Sequence, residues 1–184
     1  MGKIFVAISA LFFIILSCPS IAHAQEWQAG CSAVLLKPIG EKAPDSRVAI
    51  LKEYLEQHNS PLAIHAKTFV ETADKYNLDW KFVAAISGLE STFGQQIPND
   101  SYNGWGWGIY GDHMIRFSSW DEGIETVSEG LRNKYMNQWG AQDVYSIGKF
   151  YASTPTWAQR VDHFMRDIDE FKDAKLATNL SISL

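Results

Sequence analysis

A single carboxylate ends an unusually apolar stretch of the chain. Residues 82–90 read Phe-Val-Ala-Ala-Ile-Ser-Gly-Leu-Glu, so the stretch closes at Glu90. Helical periodicity places Phe82, Ile86 and Leu89 on one buried stripe with Glu90 beside it. Partial burial and the negative end of the helix dipole both disfavour the ionised carboxylate, so we expect a raised pKa. A carboxyl group that stays protonated near neutral pH is suited to general acid catalysis.

A structural role for Glu90 fits its position equally well. The residue is followed by the turn-like sequence Ser91-Thr92-Phe93-Gly94, which its carboxylate can cap or bond. Many buried carboxylates are structural in this way, so position alone does not decide between the two interpretations.

The segment that follows favours chemistry on a sugar. Residues 102–111 alternate glycine with large side chains, as Tyr-Asn-Gly-Trp-Gly-Trp-Gly-Ile-Tyr-Gly. Glycine permits close backbone approach, and the faces of Trp and Tyr stack on the C–H faces of sugars. If the segment is extended, Trp105 and Trp107 project to the same side. We therefore expect a saccharide groove beside Glu90, while a glycine-rich turn with inward tryptophans is the alternative.

Helices must position these residues, and the chain carries clear signals for them. Apolar residues recur at helical spacing through most of the sequence, and no convincing strand pattern occurs. We predict a short helix over 144–151, a last helix that frays after Lys172, and a mostly α fold. In the predicted capping box a Ser hydroxyl and a Glu carboxylate bond each other's backbone amides. The start signals are Asp45/Ser46, Ser60-Pro61, Asp79 before a helix from Trp80 to about Ser91, the box Ser119-Trp120-Asp121-Glu122, and Pro155.

Composition limits the classes of partner. The 184 residues are 46% hydrophobic, which is ample for one sizeable core, and that length predicts one domain. The formal net charge of −5 disfavours binding to nucleic acid, because phosphate recognition needs a dense basic face. An aromatic content of 13% is too high for a disordered chain.

The first residues read as an export signal. Lys3 precedes an apolar run from Ile4 to Leu16, and small residues flank position 23 before Gln25. This pattern predicts a signal peptide over residues 1–24 and a secreted, periplasmic or cell-wall-associated protein. Cleavage before Cys18 as a lipoprotein is a second, less favoured reading.

Neither thiol nor metal chemistry is expected. After removal of the signal peptide the chain keeps one cysteine, Cys31, so it forms no internal disulfide. A zinc amidase or peptidase would need ligands at suitable spacing, and no H-E-x-x-H pattern occurs. We expect no metal and no cofactor. The four histidines beyond the signal are His58, His65, His113 and His163.

Four motifs, in order along the chain, resemble one family of cell-wall enzymes. Residues 90–94, Glu-Ser-Thr-Phe-Gly, are similar to the E-S-x-F/W-G signature that ends the catalytic helix of lysozyme-like peptidoglycan hydrolases and lytic transglycosylases. Residues 103–111, 117–124 and 151–161 resemble the N-x-F-G-I-K-G, x-Y-x-S-x-x-D-S-I and Y-A-T-D-P-x-Y-A-x-K-V patterns of bacterial endo-β-N-acetylglucosaminidases of the autolysin type. The resemblance spans about residues 60–170.

This resemblance implies a lysozyme-like domain that cleaves β-1,4 glycosidic bonds of peptidoglycan with Glu90 as the catalytic acid. The second carboxylate is not fixed by the motifs; Asp112 is the nearest acid after the aromatic loop, and Thr154 stands where the family has an acidic residue. The short segment after Glu90 implies that the aromatic, glycine-rich loop replaces a full β-lobe. The candidate substrate-binding residues are Ser91, Asn103, Trp105, Trp107, Tyr110 and Tyr151.

Two other functions use the same features. A lytic transglycosylase would employ the same glutamate, although the G-x-x-G-L-M-Q type stretch usual in that class is missing. A non-catalytic module that binds wall glycan would use the same aromatic groove. In each case the partner is a peptidoglycan glycan strand, and we expect a monomer. The predicted segments are a signal peptide (1–24), an extension with one helix (25–59), a catalytic domain (60–172) and a flexible tail (173–184).

Overall fold

A computed structural model describes residues 44–98, 100–108 and 114–182, and helices account for most of them. No β-strand occurs within these ranges, which confirms the predicted mostly α single domain. The predicted signal peptide, Cys31 and residues 109–113, which include the end of the glycine-rich aromatic segment 102–111, lie outside the described residues. The elements are α1 (Ser46–Gln57), a 3₁₀ helix (Pro61–His65), α2 (Ala66–Tyr76), α3 (Phe82–Ser91), α4 (Trp120–Gly130), a π-helical segment (Leu131–Gln138), α5 (Val144–Tyr151) and α6 (Trp157–Ile182).

The predicted starts of the first helices are confirmed. The Asp45 side chain accepts a hydrogen bond from the backbone N–H of Arg47 at 2.9 Å and caps α1. Ser60 Oγ accepts one from the N–H of Leu62 at 3.0 Å, directly before Pro61. The chain after Ser60 begins as a 3₁₀ helix, however, and becomes α-helical only at Ala66. Short 3₁₀ stretches of this kind are common at helix N-termini.

Helix α3 is the central element of the domain. Every residue from Phe82 to Gly88 is buried, so the helix is enclosed on all sides rather than along one stripe. It packs most extensively against α6. The backbone turn at Asp79 precedes it, with Asp79 Oδ1 accepting from the N–H of Lys81 at 2.9 Å. Glu90 therefore stands near the end of a helix that is otherwise buried in the core.

The start of α4 corrects the predicted capping box. Ser119 Oγ accepts from the N–H of Glu122 at 3.1 Å, as expected. The Glu122 carboxylate, however, accepts from the N–H of Ser118 at 2.6 Å and not from that of Ser119. Only half of the reciprocal box is formed, because Ser118 offers both an N–H and a hydroxyl to the same carboxylate oxygen.

Both ends of the domain differ from the predicted boundaries. Leu51, Tyr54 and Leu55 of α1 are buried in the common core, so α1 belongs to the domain rather than to an extension. Helix α6 continues well beyond Lys172 to Ile182, where a frayed tail was predicted. Its last turns are tied to α1, because Lys175 Nζ lies 2.5 Å from Glu53 Oε2. None of the described helices is long and apolar enough to cross a membrane.

Candidate functional site

The chain reverses sharply directly after Glu90. Thr92, Phe93 and Gly94 have φ values of 52°, 54° and 81°, which lie in the left-handed region that residues other than glycine rarely adopt. The reversal is held at its centre, because Ser60 Oγ donates to the carbonyl oxygen of Phe93 at 2.8 Å. Strained backbone persists where surrounding contacts determine it, and such sites cluster at functional positions.

Ser91 joins the end of α3 to the aromatic loop. Its buried hydroxyl lies 2.8 Å from the carbonyl oxygen of Gly104 and accepts from the N–H of Gly94 at 2.9 Å. The predicted role in substrate binding is therefore wrong for this side chain, which is 3% exposed and fully occupied with backbone partners. Ser91 instead fixes the distance between the glutamate helix and the loop.

Asn103 has a similar internal role. Its side-chain amide donates to the carbonyl oxygens of Trp107 and Ile115 at 2.8 and 2.9 Å. Its side-chain oxygen accepts from the N–H of Trp107 at 3.0 Å. The predicted contact with substrate is again wrong, because Asn103 is 2% exposed and its polar side-chain atoms form hydrogen bonds to the backbone of the loop.

The two central tryptophans of the loop lie in opposite environments. Trp105 is completely buried, and its indole N–H donates to the carbonyl oxygen of Val83 at 2.9 Å. The predicted exposure of Trp105 in a groove is therefore wrong. The segment is a series of turns rather than extended, with φ of +62° at Gly106 and +63° at Gly108, so the side chains do not share a side.

Trp107, in contrast, remains partly exposed, and its role in substrate binding stays a prediction. It is half-buried and lines a cavity of about 290 Å³. Gly130 permits this placement, because a Cβ atom there would lie 2.3 Å from Trp107 Cζ2. The described residues around the cavity are Gly106, Trp107, Gly108, Ile115, Lys134, Tyr135, Phe150 and Tyr151.

The Glu90 carboxyl group is held by one strong hydrogen bond. Its Oε1 accepts from the indole N–H of Trp157 at 2.7 Å. Its Oε2 faces the loop, since a Cβ atom built on Gly106 would lie 3.4 Å away. The residue as a whole is exposed, which leaves the carboxyl group reachable from solvent on one side.

Burial raises the pKa of Glu90 above its ordinary value, which agrees with the sequence expectation. The hydrogen bond from Trp157 and the positive charge of Arg160 act in the opposite direction, because each favours the ionised form. Desolvation is the largest of these effects. The net result is a carboxyl group that retains its proton to a higher pH than a free glutamate.

Tyr151 connects the glutamate to the cavity. Its ring stacks on that of Trp157 with centroids 4.6 Å apart, and its hydroxyl donates to the carbonyl oxygen of Trp105 at 2.7 Å. Burial and the nearby Glu90 charge raise the Tyr151 pKa well above its usual range, so the phenol stays neutral. Tyr151 therefore lines the cavity and also packs against the Trp157 ring that bonds Glu90, and its role in substrate binding stays a prediction.

A continuous series of aromatic rings leads away from the glutamate. After Trp157 and Tyr151, the Trp107 and Tyr135 rings each lie 5.9 Å from that of Tyr151. The Trp139 ring then lies 4.9 Å from that of Tyr135. We call these five residues, Trp157, Tyr151, Trp107, Tyr135 and Trp139, the aromatic strip.

Two predicted site residues, Tyr110 and Asp112, lie outside the described residues, as does His113. The described ranges contain no group of three His, Cys, Asp or Glu side chains that could hold a metal ion. The assignment of Asp112 as the second carboxylate stays a prediction.

Sequence reasoning missed three residues around Glu90. Trp157, Arg160 and Gly106 were not predicted as site residues. The signal was nevertheless present, because Trp157 and Arg160 belong to the motif at 151–161 and Gly106 to the aromatic segment 102–111. The proximity of Trp157 and Arg160 to Glu90 depends on the packing of α6 against α3, which the motifs do not encode.

Neither protein-family models nor the curated proteins give a match to this chain. The resemblance carried by the four motifs therefore stays an expectation from the sequence.

Proposed function

We propose that this protein is a peptidoglycan hydrolase that cleaves β-1,4 glycosidic bonds as an endo-β-N-acetylglucosaminidase, with Glu90 as general acid. The observation that carries the proposal is the state of the Glu90 carboxyl group. It is accessible, its pKa is raised by burial, and Trp157 fixes one of its oxygens. A protonated and oriented carboxyl group beside a sugar-binding surface is the central requirement for glycoside hydrolysis.

The hydrogen bond from Trp157 determines which oxygen delivers the proton. Oε1 already accepts the indole N–H, and a protonated carboxyl group carries its hydrogen on one oxygen only. The proton therefore resides on Oε2, which faces the bare backbone of Gly106. From there it can pass to the glycosidic oxygen as positive charge develops on the sugar ring.

The aromatic strip supports a saccharide as the substrate. Aromatic faces bind the C–H faces of pyranose rings, and Trp107, Tyr135 and Tyr151 form a wall of the 290 Å³ cavity. Gly106 lines the same cavity and also faces Glu90 Oε2, so the sugar surface and the acid meet at one residue. A glycan that lies on the strip would bring a glycosidic bond past the acid.

The second catalytic group follows from the sequence only. Asp112 would serve as nucleophile or as the base that activates water, according to its separation from Glu90. If no acid lies within reach, the N-acetyl oxygen of the substrate itself would attack the anomeric carbon. The signal sequence predicted over 1–24 would deliver the enzyme to the compartment that contains this substrate.

The decisive experiment is incubation of the purified mature protein with isolated sacculi, followed by mass spectrometry of the released muropeptides. Products with N-acetylglucosamine at the reducing end are expected. The Glu90→Gln variant keeps the shape of the side chain and removes its proton, so we expect it to release no products.

Each other outcome has a distinct meaning. Anhydro-muramic products would replace the glucosaminidase by a lytic transglycosylase that uses the same acid. Unchanged release by the Glu90→Gln variant would overturn the assignment of the acid. Binding to sacculi without release of any product by the wild-type protein would reduce the protein to a glycan-binding module.

A further inference from the structure

Trp139 and Phe150 form an exposed pair of aromatic side chains, here called the aromatic corner, at the end of the aromatic strip. They are 39% and 51% exposed, and their ring centroids lie 5.2 Å apart. The Tyr135 ring lies 4.9 Å from that of Trp139 and 5.8 Å from that of Trp107. Large aromatic side chains in contact at the surface, on the wall of a cavity, are suited to a ligand with flat apolar faces.

One cation is placed over this corner. Lys134 Nζ lies 4.9 Å from the centroid of the Trp139 ring. Among the described residues that line the cavity, Lys134 is the one with a charged side chain. The ammonium group is therefore held above an aromatic face at the edge of a sugar-sized space.

Most lysines of the described ranges are already paired with carboxylates. Six of the eight lie within 4.0 Å of an Asp or Glu oxygen, and the two without such a partner in those ranges are Lys134 and Lys149. Lys149 does not line the cavity. Lys134 thus combines a positive charge that has no carboxylate partner among the described residues with a position at the proposed glycan site.

The geometry points to Lys134 as a specificity-determining residue that binds the lactyl carboxylate of an N-acetylmuramic acid unit from which the stem peptide has been removed. This inference rests on the proposed function and names the form of glycan strand that the site prefers. Stacking on the aromatic corner accepts any pyranose, whereas the ammonium group adds attraction for a carboxylate. Since Lys134 Nζ lies against the Trp139 ring, the carboxylate must be carried on a short arm beside the stacked sugar.

The lactyl ether is such an arm. On a peptide-bearing muramic acid the lactyl carbonyl forms an amide with the first amino acid and carries no charge. Removal of the peptide leaves a free carboxylate at the same place. A carboxylate at the far end of a stem peptide lies several residues from the ring and has no fixed position relative to Lys134.

The test measures binding by the full mature chain carrying Glu90→Gln, which prevents turnover during titration. Three probes are compared by tryptophan fluorescence and calorimetry: glycan strands freed of peptide by an amidase, the same strands with their carboxylates converted to methylamides, and uncharged N-acetylglucosamine tetramers. A parallel titration uses strands that retain their peptides.

We expect the peptide-free strands to bind about three- to fivefold more tightly than the methylamide form, the range of an exposed ion pair. High salt should remove that difference, because exposed charges are screened. Lys134→Met should abolish the preference, and Lys134→Arg should keep it. Lys149→Met removes the same charge away from the cavity and should leave the preference unchanged.

The outcomes separate this inference from the proposed function. Equal binding of all charged and neutral strands, unaffected by Lys134→Met, would overturn the inference and leave glycan recognition standing. A Lys134-dependent preference for strands that retain peptides would also overturn it, because the carboxylate would then belong to the peptide. Failure to bind any of the strands or tetramers would overturn the proposed function together with the inference.

Discussion

Glu90 and Glu125 are both helical glutamates next to aromatic side chains, and their surroundings shift their pKa values in opposite directions. Glu125 of α4 accepts hydrogen bonds from Lys75 and from the Tyr76 hydroxyl, the latter at 2.7 Å. These bonds lower its pKa, because they stabilise the carboxylate. Glu90 receives one hydrogen bond from an uncharged donor, and burial raises its pKa.

Burial and hydrogen-bond partners both contribute to the difference. Although Glu90 is the more exposed residue overall, desolvation has the largest influence on its pKa and disfavours its ionised form. At Glu125 the hydrogen bonds from Lys75 and Tyr76 outweigh desolvation, whereas Arg160 acts on Glu90 without a hydrogen bond. A fully satisfied glutamate strengthens the α2–α4 contact, and an incompletely satisfied one remains available for proton transfer.

The largest expected effect is on catalysis. Glu90→Gln should lower kcat on sacculi by about 10²- to 10⁴-fold, the contribution typical of a general acid. The matched variant Glu125→Gln removes a carboxylate of the same type and should retain the wild-type rate at a temperature where both variants are folded. The rate of turbidity loss of sacculi measures both. A comparable loss of activity in the two variants would mean that Glu90 acts through the fold.

The next effect concerns the residue that holds Glu90. Trp157→Phe removes the N–H donor and should lower kcat about tenfold, because Oε2 is no longer aimed at the loop. The same change removes a bond that favours the ionised form, so the Glu90 pKa should rise. Because the protonated form is the active one, the alkaline limb of the rate profile should move to higher pH.

Trp80→Phe is the control for that variant, since Trp80 lies beside Lys81 at the start of α3 and not at the site. Its pH–rate profile should match that of the wild type. An alkaline limb that is unchanged by Trp157→Phe would show that the indole does not influence the proton on Glu90.

Thermal stability should respond in opposite directions at the two glutamates. The folded pKa of Glu90 lies above its unfolded value, so its ionisation opposes folding once the pH exceeds the unfolded pKa. Glu90→Gln should therefore raise the midpoint of unfolding at pH 7, with the gain vanishing near pH 4. The folded pKa of Glu125 lies below its unfolded value, so its stabilisation is present at pH 7 and is lost as the pH falls through the folded pKa.

Glu125→Gln should accordingly lower the midpoint at pH 7 and have little effect in acid. Calorimetry of the two variants across this range measures both trends. A midpoint lowered by Glu90→Gln at pH 7 would contradict the picture of a carboxylate that is disfavoured when ionised.

The smallest effect is expected at Arg160. Its positive charge favours ionised Glu90, so Arg160→Gln should raise the Glu90 pKa and move the alkaline limb upward by a fraction of a pH unit. Arg166→Gln, on the same helix, removes a charge that pairs with Asp162 instead and should leave the limb in place. Raising the salt concentration should shrink the difference between the two variants. A downward shift with Arg160→Gln would contradict the assignment.

Local signals in the sequence predicted the elements but not their arrangement. Asp45, Ser60-Pro61 and Ser119 mark helix starts through side chains that bond amides two or three residues away, so the sequence contains all participants. The raised pKa of Glu90 was likewise foreseeable from the apolar helix that precedes it. The hydrogen bond from Ser118 to Glu122 could not be predicted in this way, because the neighbouring N–H groups of Ser118 and Ser119 are both candidate donors to that carboxylate.

The candidate site was only partly predictable, for a physical reason that Trp105 makes clear. The alternation with glycine left two possibilities open, an extended segment in which Trp105 and Trp107 share a side and a turn with inward tryptophans. The positive φ of Gly106 turns the chain between them, and Gly123 opens the space that Trp105 fills, since a Cβ atom there would lie 2.6 Å from its ring. Such a fit between distant residues depends on tertiary packing, as does the bond between Trp157 and Glu90.

The missing side chain at Gly106 also suggests where an inhibitor could bind. Glu90 Oε2 faces this glycine, so a small hydrophobic fragment bound over the Gly106 backbone would separate the proton on Oε2 from the proposed glycan substrate. Such a ligand would leave the aromatic strip free. Inhibitors of the proposed hydrolase can therefore be sought among compounds that bind these backbone atoms, without imitating a sugar.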